Sequence, residues 1–299
     1  MNIRFTLRDS ARFLRRNRNA VRFKLAGRDL HVAFVRSIGM FAQINFCLYM
    51  ARYVESSGQR LHITLNSENY RDPDHGPNWF DYFFFHKKSE RLPTQAPIAI
   101  WDNSQLPLTW SGLTLDEANR IFFSQFGIRP EIMQAADDFA QKNDIGEHTL
   151  GVHYRATDKY IEAAPVEISD VLDKVRSAVS SGENYRNIFV ASDVAQFVDA
   201  AHNELSEFYV TSLDDSVRSQ SNNPVHMGRA RVGNYAMGKD ALLNALVLAK
   251  CGSLIRTTSF LSAWASIFNP SISVSLLNVP YSKALWFPEA VILPFAKRL

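Results

Sequence analysis

The chain has 299 residues, of which 46% are hydrophobic, and its formal net charge is +3. It contains no run of about 18 consecutive apolar residues, so the composition predicts a globular protein without a membrane-spanning helix. Two cysteines lie far apart in apolar segments, which is typical of reduced thiols, and no secretory signal follows the first methionine. These features favour the cytoplasm and argue against export.

The first 28 residues carry a local excess of positive charge, offset only by Asp9. The basic residues of this stretch are Arg4, Arg8, Arg12, Arg15, Arg16, Arg18, Arg22, Lys24 and Arg28. Apolar side chains such as Leu14 and Val21 are interspersed, so one interpretation is a basic amphipathic helix in peripheral contact with an anionic membrane, at its inner face in the cell. The alternative is a solvated extension. No nucleic-acid partner is expected, because the rest of the chain lacks a basic stripe or a recognisable motif.

The next segment predicts the beginning of a βαβ unit. A short apolar run over 31–35 indicates a strand, a turn follows at Gly39, and helical periodicity extends over 41–54. Residues 61–65 alternate and predict a second strand. The stretch 66–111 is rich in proline, aspartate and aromatic residues, which favours irregular structure with short strands.

Two helices are predicted over 115–125 and 130–142, the second with proline at its first position. A polar break follows at 143–146, and we therefore place a domain boundary between 147 and 148. Beyond it, strands are predicted over 149–153, 188–192, 208–211, 253–257 and 272–277, and helices over 168–180, 194–205, 238–250 and 260–268. This alternation predicts a parallel sheet covered on both faces.

Polar residues follow several of these strands. Arg155 comes after the strand at 149–153, Asp193 after the next, and Thr257, Thr258 and Ser259 precede the helix at 260. In open α/β sheets, ligands bind outside the carboxyl ends of the strands. An arginine fork and a helix N-terminus both bind phosphate, so the pattern predicts a diphosphate site without a metal. The alternatives are an ion pair of Arg155 with Asp158 or Asp193, and simple helix capping by the hydroxyls.

Two further residues have open interpretations. His153 ends a strand and is either a buried core histidine or part of the site. Glu162 lies in a loop, where it is either a general base or a solvent-exposed carboxylate. Asp72-Pro73-Asp74 resembles a metal-binding pair, but its proline and its neighbours favour a turn. The sequence contains no P-loop, nucleophile elbow or zinc-ligand spacing.

The motifs of the second half resemble the three signatures of the α-1,6 and protein O-fucosyltransferase superfamily, which includes the rhizobial nodulation fucosyltransferases. The first resemblance covers Gly151 to Lys159 and the second covers Ile188 to Asp193. The third runs from Asp240 through Thr257-Thr258-Ser259 to Ser266. The segment Ser37 to Gln43 is similar to the glycine loop that follows the first strand in this superfamily.

This resemblance implies an α/β, GT-B glycosyltransferase with two Rossmann-like domains facing a cleft. An N-terminal acceptor domain would occupy residues 1–147, and a nucleotide-sugar-binding domain 148–299. The implied reaction transfers fucose from GDP-fucose to a glycan hydroxyl with inversion, without a metal or another cofactor. Arg155 would hold the β-phosphate, assisted by Ser259, with His153 beside the guanine and ribose.

Other positions match the family with departures. Asp193 matches an acidic position of the second signature, and Glu162 lies near the carboxylate that is the base in the core enzymes. Asn244 stands where many relatives have an aspartate that accepts from guanine, and an amide satisfies only part of that donor pattern. Ala156 stands where the core enzymes have a second arginine. Another nucleotide-sugar donor, or a binding protein without catalysis, therefore remains an alternative.

Overall fold

The structure, a computed structural model, describes residues 7–88, 93–106, 112–155, 163–181, 184–213, 233–281 and 292–293. The helices are α1 Leu7–Leu25, α2 Met40–Ser57, α3 Phe80–Phe83, α4 Leu115–Gln125, α5 Pro130–Lys142, α6 Ile168–Ser180, α7 Ala195–Glu204, α8 Asn234–Leu248 and α9 Phe260–Phe268. The strands are β1 Asp29–Phe34, β2 Arg60–Leu65, β3 Phe84–His86, β4 Ile98–Ile100, β5 Leu113–Thr114, β6 Phe126–Ile128, β7 Thr149–Tyr154, β8 Asn187–Ser192, β9 Tyr209–Thr211, β10 Ser253–Arg256, β11 Ser273–Leu276 and β12 Ile292–Leu293.

The chain divides into two compact units. The first contains Met1–Ser111 and Arg120–Arg129, and the second contains Gly112–Asn119 and Pro130–Leu299. Helix α5 belongs to the second unit because it packs against α8. The predicted boundary between 147 and 148 leaves this helix in the N-terminal domain, because a polar break in the chain does not reveal which helices pack together.

The first unit contains a parallel sheet of order β2-β1-β4. Helix α2 connects β1 to β2, as the sequence predicts, and ends at Gly58. The backbone of Gly58 is left-handed, with φ of 71°, and its amide donates to Val54 at 2.8 Å. Such a helix end favours glycine because other side chains strain this conformation. The N-terminal segment is helical from Leu7 to Leu25.

An aromatic cluster fills the region that the sequence predicts as irregular. Strand β3 pairs with β6 in antiparallel orientation, and α3 precedes it directly. The rings of Phe80, Phe84, Phe122 and Phe126 are fully buried and contact one another. These aromatic residues form core structure. Asp72 caps a short 3₁₀ helix at Pro73–His75, which confirms the predicted turn.

The second unit contains a five-stranded sheet of order β11-β10-β7-β8-β9, in which every pair is parallel. Leu150, Val152 and Tyr154 of β7 share a buried cluster with residues of α6 and α7. On the opposite face, Phe189 of β8 contacts Phe139 of α5. Successive side chains of a strand point to opposite faces, so both faces are covered. The predicted mixed α/β fold with parallel sheets is confirmed.

Two details of the second unit depart from or extend the sequence pattern. Helix α8 begins at Asn234, one turn before the predicted start at Gly238, and Met237 is the buried residue of this added turn. Gly252, between α8 and β10, approaches the carbonyl of Glu147 so closely that a Cβ atom would lie 1.8 Å from its oxygen. This contact requires glycine and aligns the start of β10 beside β7.

Candidate functional site

Three parallel strands end at the same edge of the second unit's sheet. In the strand register, His153 of β7 lies opposite both Arg256 of β10 and Ala191 of β8. Arg155, Asp193 and Thr257 therefore emerge side by side where the strands end. The sequence predicts that polar residues after neighbouring parallel strands lie at one edge of the sheet, and these three residues do.

Thr257 joins the ends of β7 and β10. Its hydroxyl accepts a hydrogen bond from the amide of Arg155 at 2.9 Å, and its own amide donates to the carbonyl of His153 at 3.1 Å. Thr257 is buried. Because both bonds involve the main chain, they orient the backbone from which the Arg155 side chain projects.

Asp193 lies across the edge from Arg155. The guanidinium Nε of Arg155 is 3.8 Å from a carboxylate oxygen of Asp193, and the side chains are 20% and 16% exposed. This is the longer end of the ion-pair range, so the pair contributes about 1 kcal/mol or less. The alternative interpretation of Arg155 as an ion-pair partner of Asp193 is therefore present in the structure, while Asp158 lies outside the described residues. A phosphate could accept from the same guanidinium at little cost.

The side chain of Ser192 holds the turn that contains Asp193. Its hydroxyl donates to the carbonyl of Tyr154 at 2.7 Å and accepts from the amide of Val194 at 3.1 Å. The turn between β8 and α7 is thus tied to the end of β7.

Thr258 is anchored by Asn278, which is not among the predicted site residues. The amide of Thr258 donates to the side chain of Asn278 at 2.7 Å, and its hydroxyl donates to the carbonyl of Asn278 at 2.7 Å. The side-chain amide of Asn278 in turn donates to the carbonyl of Ala164 at 2.6 Å. Asn278 follows β11 closely, so the rule of polar strand ends, applied to that strand, would have found it.

Ser259 precedes helix α9 at the same edge. It occupies the capping position, but its side chain makes no capping hydrogen bond. Simple capping therefore does not account for the Ser259 hydroxyl, which is buried. Only three residues separate the end of β10 from the start of α9. The N-terminal end of α9, which is the positive end of its dipole, therefore lies at this edge.

His153 and Asn244 are both buried within the second unit. His153 lies on the face of β7 that includes Gly151, where a Cβ atom would be 3.2 Å from the sulfur of Cys251. Asn244 lies in α8, and its side-chain amide donates to the carbonyl of Asp240 at 3.0 Å and to its carboxylate at 3.3 Å. An aspartate at 244 could not donate to Asp240, which gives the asparagine a local structural reason.

Two predicted site residues are not part of this cluster as described. Glu162 lies outside the described residues, so its position is not stated. Gly39 belongs to the first unit, where it precedes α2 with φ of −55° and ψ of 148°. These angles are open to any residue, and a Cβ atom there would meet no described atom within 4 Å.

A groove of about 690 Å³ adjoins the edge within the second unit. Val166 and Asp170 line one side, and Leu277, Asn278 and Tyr281 line the other. Its walls are mainly apolar with few polar groups, a composition typical of small-molecule sites. Asn278 therefore contacts both the anchored Thr258 and the groove.

Among the described residues, no three His, Cys, Asp or Glu side chains are grouped so that they could hold a metal ion. None of the helices in the described part of the chain is long and apolar enough to cross a membrane.

A parallel sheet with helices on both faces is the arrangement of the doubly wound α/β folds, in which ligands bind outside the carboxyl ends of the strands. No protein-family model and no curated protein matches this chain. Among solved structures, the chain is similar to NodZ α-1,6-fucosyltransferase soaked with GDP-fucose, with a TM-score of 0.53 and 19% identity over 81% of this chain and 94% of that chain.

Two further NodZ structures give the same result. The form co-crystallised with GDP has a TM-score of 0.52 and 19% identity, covering 81% of this chain and 93% of that chain. Fucosyltransferase NodZ from Bradyrhizobium has a TM-score of 0.51 and 19% identity, covering 81% of this chain and 94% of that chain. The fold of this chain is therefore similar to that of these fucosyltransferases.

Proposed function

We propose that this protein is an inverting, metal-independent glycosyltransferase that transfers fucose from GDP-fucose to a hydroxyl of a glycan or glycoconjugate. The observation that carries the proposal is the placement of Arg155 beside Thr257 at the start of α9. It occurs in a fold shared with NodZ, an α-1,6-fucosyltransferase whose structure was obtained after soaking with GDP-fucose.

The proposed donor site uses the residues of this edge. Arg155 binds the β-phosphate through its fork of donors, and Ser259 assists from the N-terminal end of α9. Thr257 and Thr258 position the backbone around the phosphate through the hydrogen bonds described above. In this proposal, His153 and Asn244 lie toward the nucleoside, and Asp193 orients Arg155.

The proposed chemistry is a displacement at the anomeric carbon, in which the bond to the diphosphate breaks as the acceptor oxygen attacks. Negative charge develops on the leaving diphosphate, and the anomeric carbon gains oxocarbenium character. Arg155 and the dipole of α9 stabilise the charge where it develops, which lowers the barrier. Glu162 is the proposed base that takes the proton of the acceptor hydroxyl.

The proposal includes the GT-B arrangement, in which the second unit holds the donor and the first unit, with Gly39, faces the acceptor. The open space around Gly39 supports close approach of a ligand to the backbone there. We also propose a cytoplasmic location, which is supported by two buried cysteines that are both free.

Calorimetric titration with GDP, GDP-fucose, UDP and ADP, with and without a chelator, tests the donor site. We expect selective binding of GDP and GDP-fucose, weakened roughly 100-fold in Arg155→Ala and partly retained in Arg155→Lys, which keeps the charge but loses the fork. Arg176→Ala is the matched control, because it also removes an arginine of the second unit. Arg176 lies on the surface of α6 and forms ion pairs with Asp173 of α6 and Glu204 of α7. Equal binding by wild type and Arg155→Ala would contradict the assignment.

Asn244 favours a second candidate, a transferase with another nucleotide-sugar donor, because a side-chain amide satisfies only part of the donor pattern of guanine. Competition among the four nucleotides decides between them, because a guanine-specific site rejects UDP and ADP. Slow release of GDP from GDP-fucose without acceptor separates both enzymes from a protein that only binds the donor.

A further inference from the structure

Helix α1 presents two different faces. Phe23 is fully buried and its ring lies 5.6 Å from that of Tyr53. Asn19 is also buried and donates to the carbonyl of Gln105 at 3.4 Å. These residues attach α1 to the first unit, so the opposite side of the helix faces outward.

The outward side of α1 carries an exposed apolar stripe. Leu14, Val21 and Leu25 are 68%, 55% and 79% exposed. Their spacings of seven and four residues place them within about 20° of one line along the helix. Single exposed apolar residues are ordinary, but three aligned along one helix form a continuous surface.

Positive charge borders this stripe. Arg18 and Arg22 lie on one side of it and Lys24 on the other, and all three side chains are exposed. Between Asp9 and Asp29 the sequence contains no acidic residue. An apolar stripe flanked by cations is the pattern of helices that lie in the interface of a bilayer with anionic lipids.

The tertiary structure adds a tryptophan to this surface. Trp101 follows β4, is 60% exposed, and lines a small groove of about 250 Å³ together with Arg18 and Arg22 of α1. Tryptophan is enriched where proteins meet the headgroup region of a membrane, and arginine pairs with phosphate. The chain brings Trp101 and the two arginines together from distant parts of the sequence.

We propose that this surface, formed by Leu14, Val21, Leu25, Arg18, Arg22 and Trp101, docks the protein on a bilayer that contains anionic phospholipid. The stripe enters the boundary between headgroups and acyl chains, and the arginines contact lipid phosphates. Docking depends on the first unit alone and is independent of the donor site in the second unit.

Flotation with lipid vesicles tests the proposal. The full chain is mixed with vesicles of phosphatidylcholine alone or of phosphatidylcholine with phosphatidylglycerol. We expect binding to the anionic vesicles only. Changing Arg18 and Arg22 together to glutamine lowers that binding roughly 30-fold. A control with Lys142→Gln and Arg186→Gln removes the same charge from exposed positions of the second unit and leaves binding unchanged.

The apolar stripe needs its own variant, because charge alone could attract a vesicle. Replacing Leu14, Val21 and Leu25 by glutamine lowers vesicle binding roughly tenfold or more. Circular dichroism checks that this variant is folded. If it is unfolded, Leu14→Gln alone is tested instead, and we expect it to lower vesicle binding by a smaller factor. Unchanged binding by the folded stripe variant overturns the proposal.

Tryptophan fluorescence gives a second measurement on the same protein. Trp101 is exposed and Trp79 and Trp264 are fully buried, while Trp110 and Trp286 lie outside the described residues. In a variant with Trp110→Phe and Trp286→Phe, docking therefore shifts the emission to shorter wavelength mainly through Trp101. We expect most of this shift to disappear in Trp101→Phe. Binding of inorganic phosphate or of double-stranded DNA without binding of anionic vesicles overturns the proposal.

Discussion

The main-chain amide of Arg155 donates a hydrogen bond to the side-chain hydroxyl of Thr257, at 2.9 Å, although 102 residues separate the two along the chain. The orientation of Arg155, the residue proposed to bind phosphate, therefore depends on Thr257 at the end of strand β10.

The first prediction removes that bond. Thr257→Val preserves the shape of the side chain but leaves the partly buried amide of Arg155 without its acceptor, which costs about 1 kcal/mol of stability. Because the backbone of Arg155 then shifts, we expect GDP binding to weaken about tenfold. Calorimetry and urea unfolding measure the two effects.

Thr257→Ser is the control for this experiment, since it retains the hydroxyl. It should bind GDP nearly as well as the wild type. If Thr257→Val binds GDP as well as the wild type while Thr257→Ser loses affinity, packing of the methyl group, and not the hydrogen bond, orients Arg155.

The second prediction concerns Asn278. Asn278→Ala removes the acceptor for the Thr258 amide and the donor for Ala164, so we expect a loss of about 1 to 3 kcal/mol and weaker donor binding. Thermal unfolding and GDP titration are the measurements. Asn269→Ala, which removes a side-chain bond to Ala249 at 2.8 Å, is a control that should destabilise without changing affinity per folded molecule. An Asn278→Ala protein with wild-type affinity would show that Thr258 does not depend on this anchor.

The third prediction concerns Asn244. Asn244→Asp replaces an amide that donates to Asp240 by a carboxylate that repels it, at 3.3 Å in the present geometry. We expect a lower thermal midpoint at pH 8 and partial recovery near pH 5, where one carboxyl of the pair is protonated. The double variant with Asp240→Asn should restore stability at both pH values. A single variant as stable as the wild type at pH 8 would refute the proposed structural role of the asparagine.

The fourth prediction concerns pH and the first unit. Burial, together with the charges of the neighbouring His62 and His31, lowers the pKa of His86 to about 4. The Nε2 atom of His86 accepts from the amide of Ile63 at 2.9 Å, which requires a neutral ring. The unfolded chain binds the proton more tightly, so this stabilisation is complete above about pH 6.5 and is lost as the pH falls toward about 4.

The expected loss is about 3 kcal/mol over that window. Hydrogen exchange at the Ile63 amide should show a protection factor that falls between pH 6.5 and 4.5. His86→Gln keeps an acceptor but does not titrate, so its protection should change less. Equal pH dependence in the two proteins would assign the effect to another group.

The sequence by itself determined the elements with strong local periodicity. Helices α4, α5, α6 and α9 have the bounds that their patterns predict, because amphipathic spacing, a proline start and a polar break are properties of neighbouring residues. The order of strands and helices in the second half predicts a parallel sheet. Polar strand ends were therefore enough to place Arg155, Asp193 and Thr257 at one edge.

Only the tertiary structure decided which distant residues meet. Three contacts join segments whose local sequence patterns do not predict that they meet. They are the pairing of β3 with β6, the packing of α5 on α8 and the contact of Asn278 with Thr258. Likewise, α1 is amphipathic in sequence, but burial of Phe23 selects its outward face and brings Trp101 beside its arginines. Periodicity describes one element at a time, whereas a site depends on packing between elements.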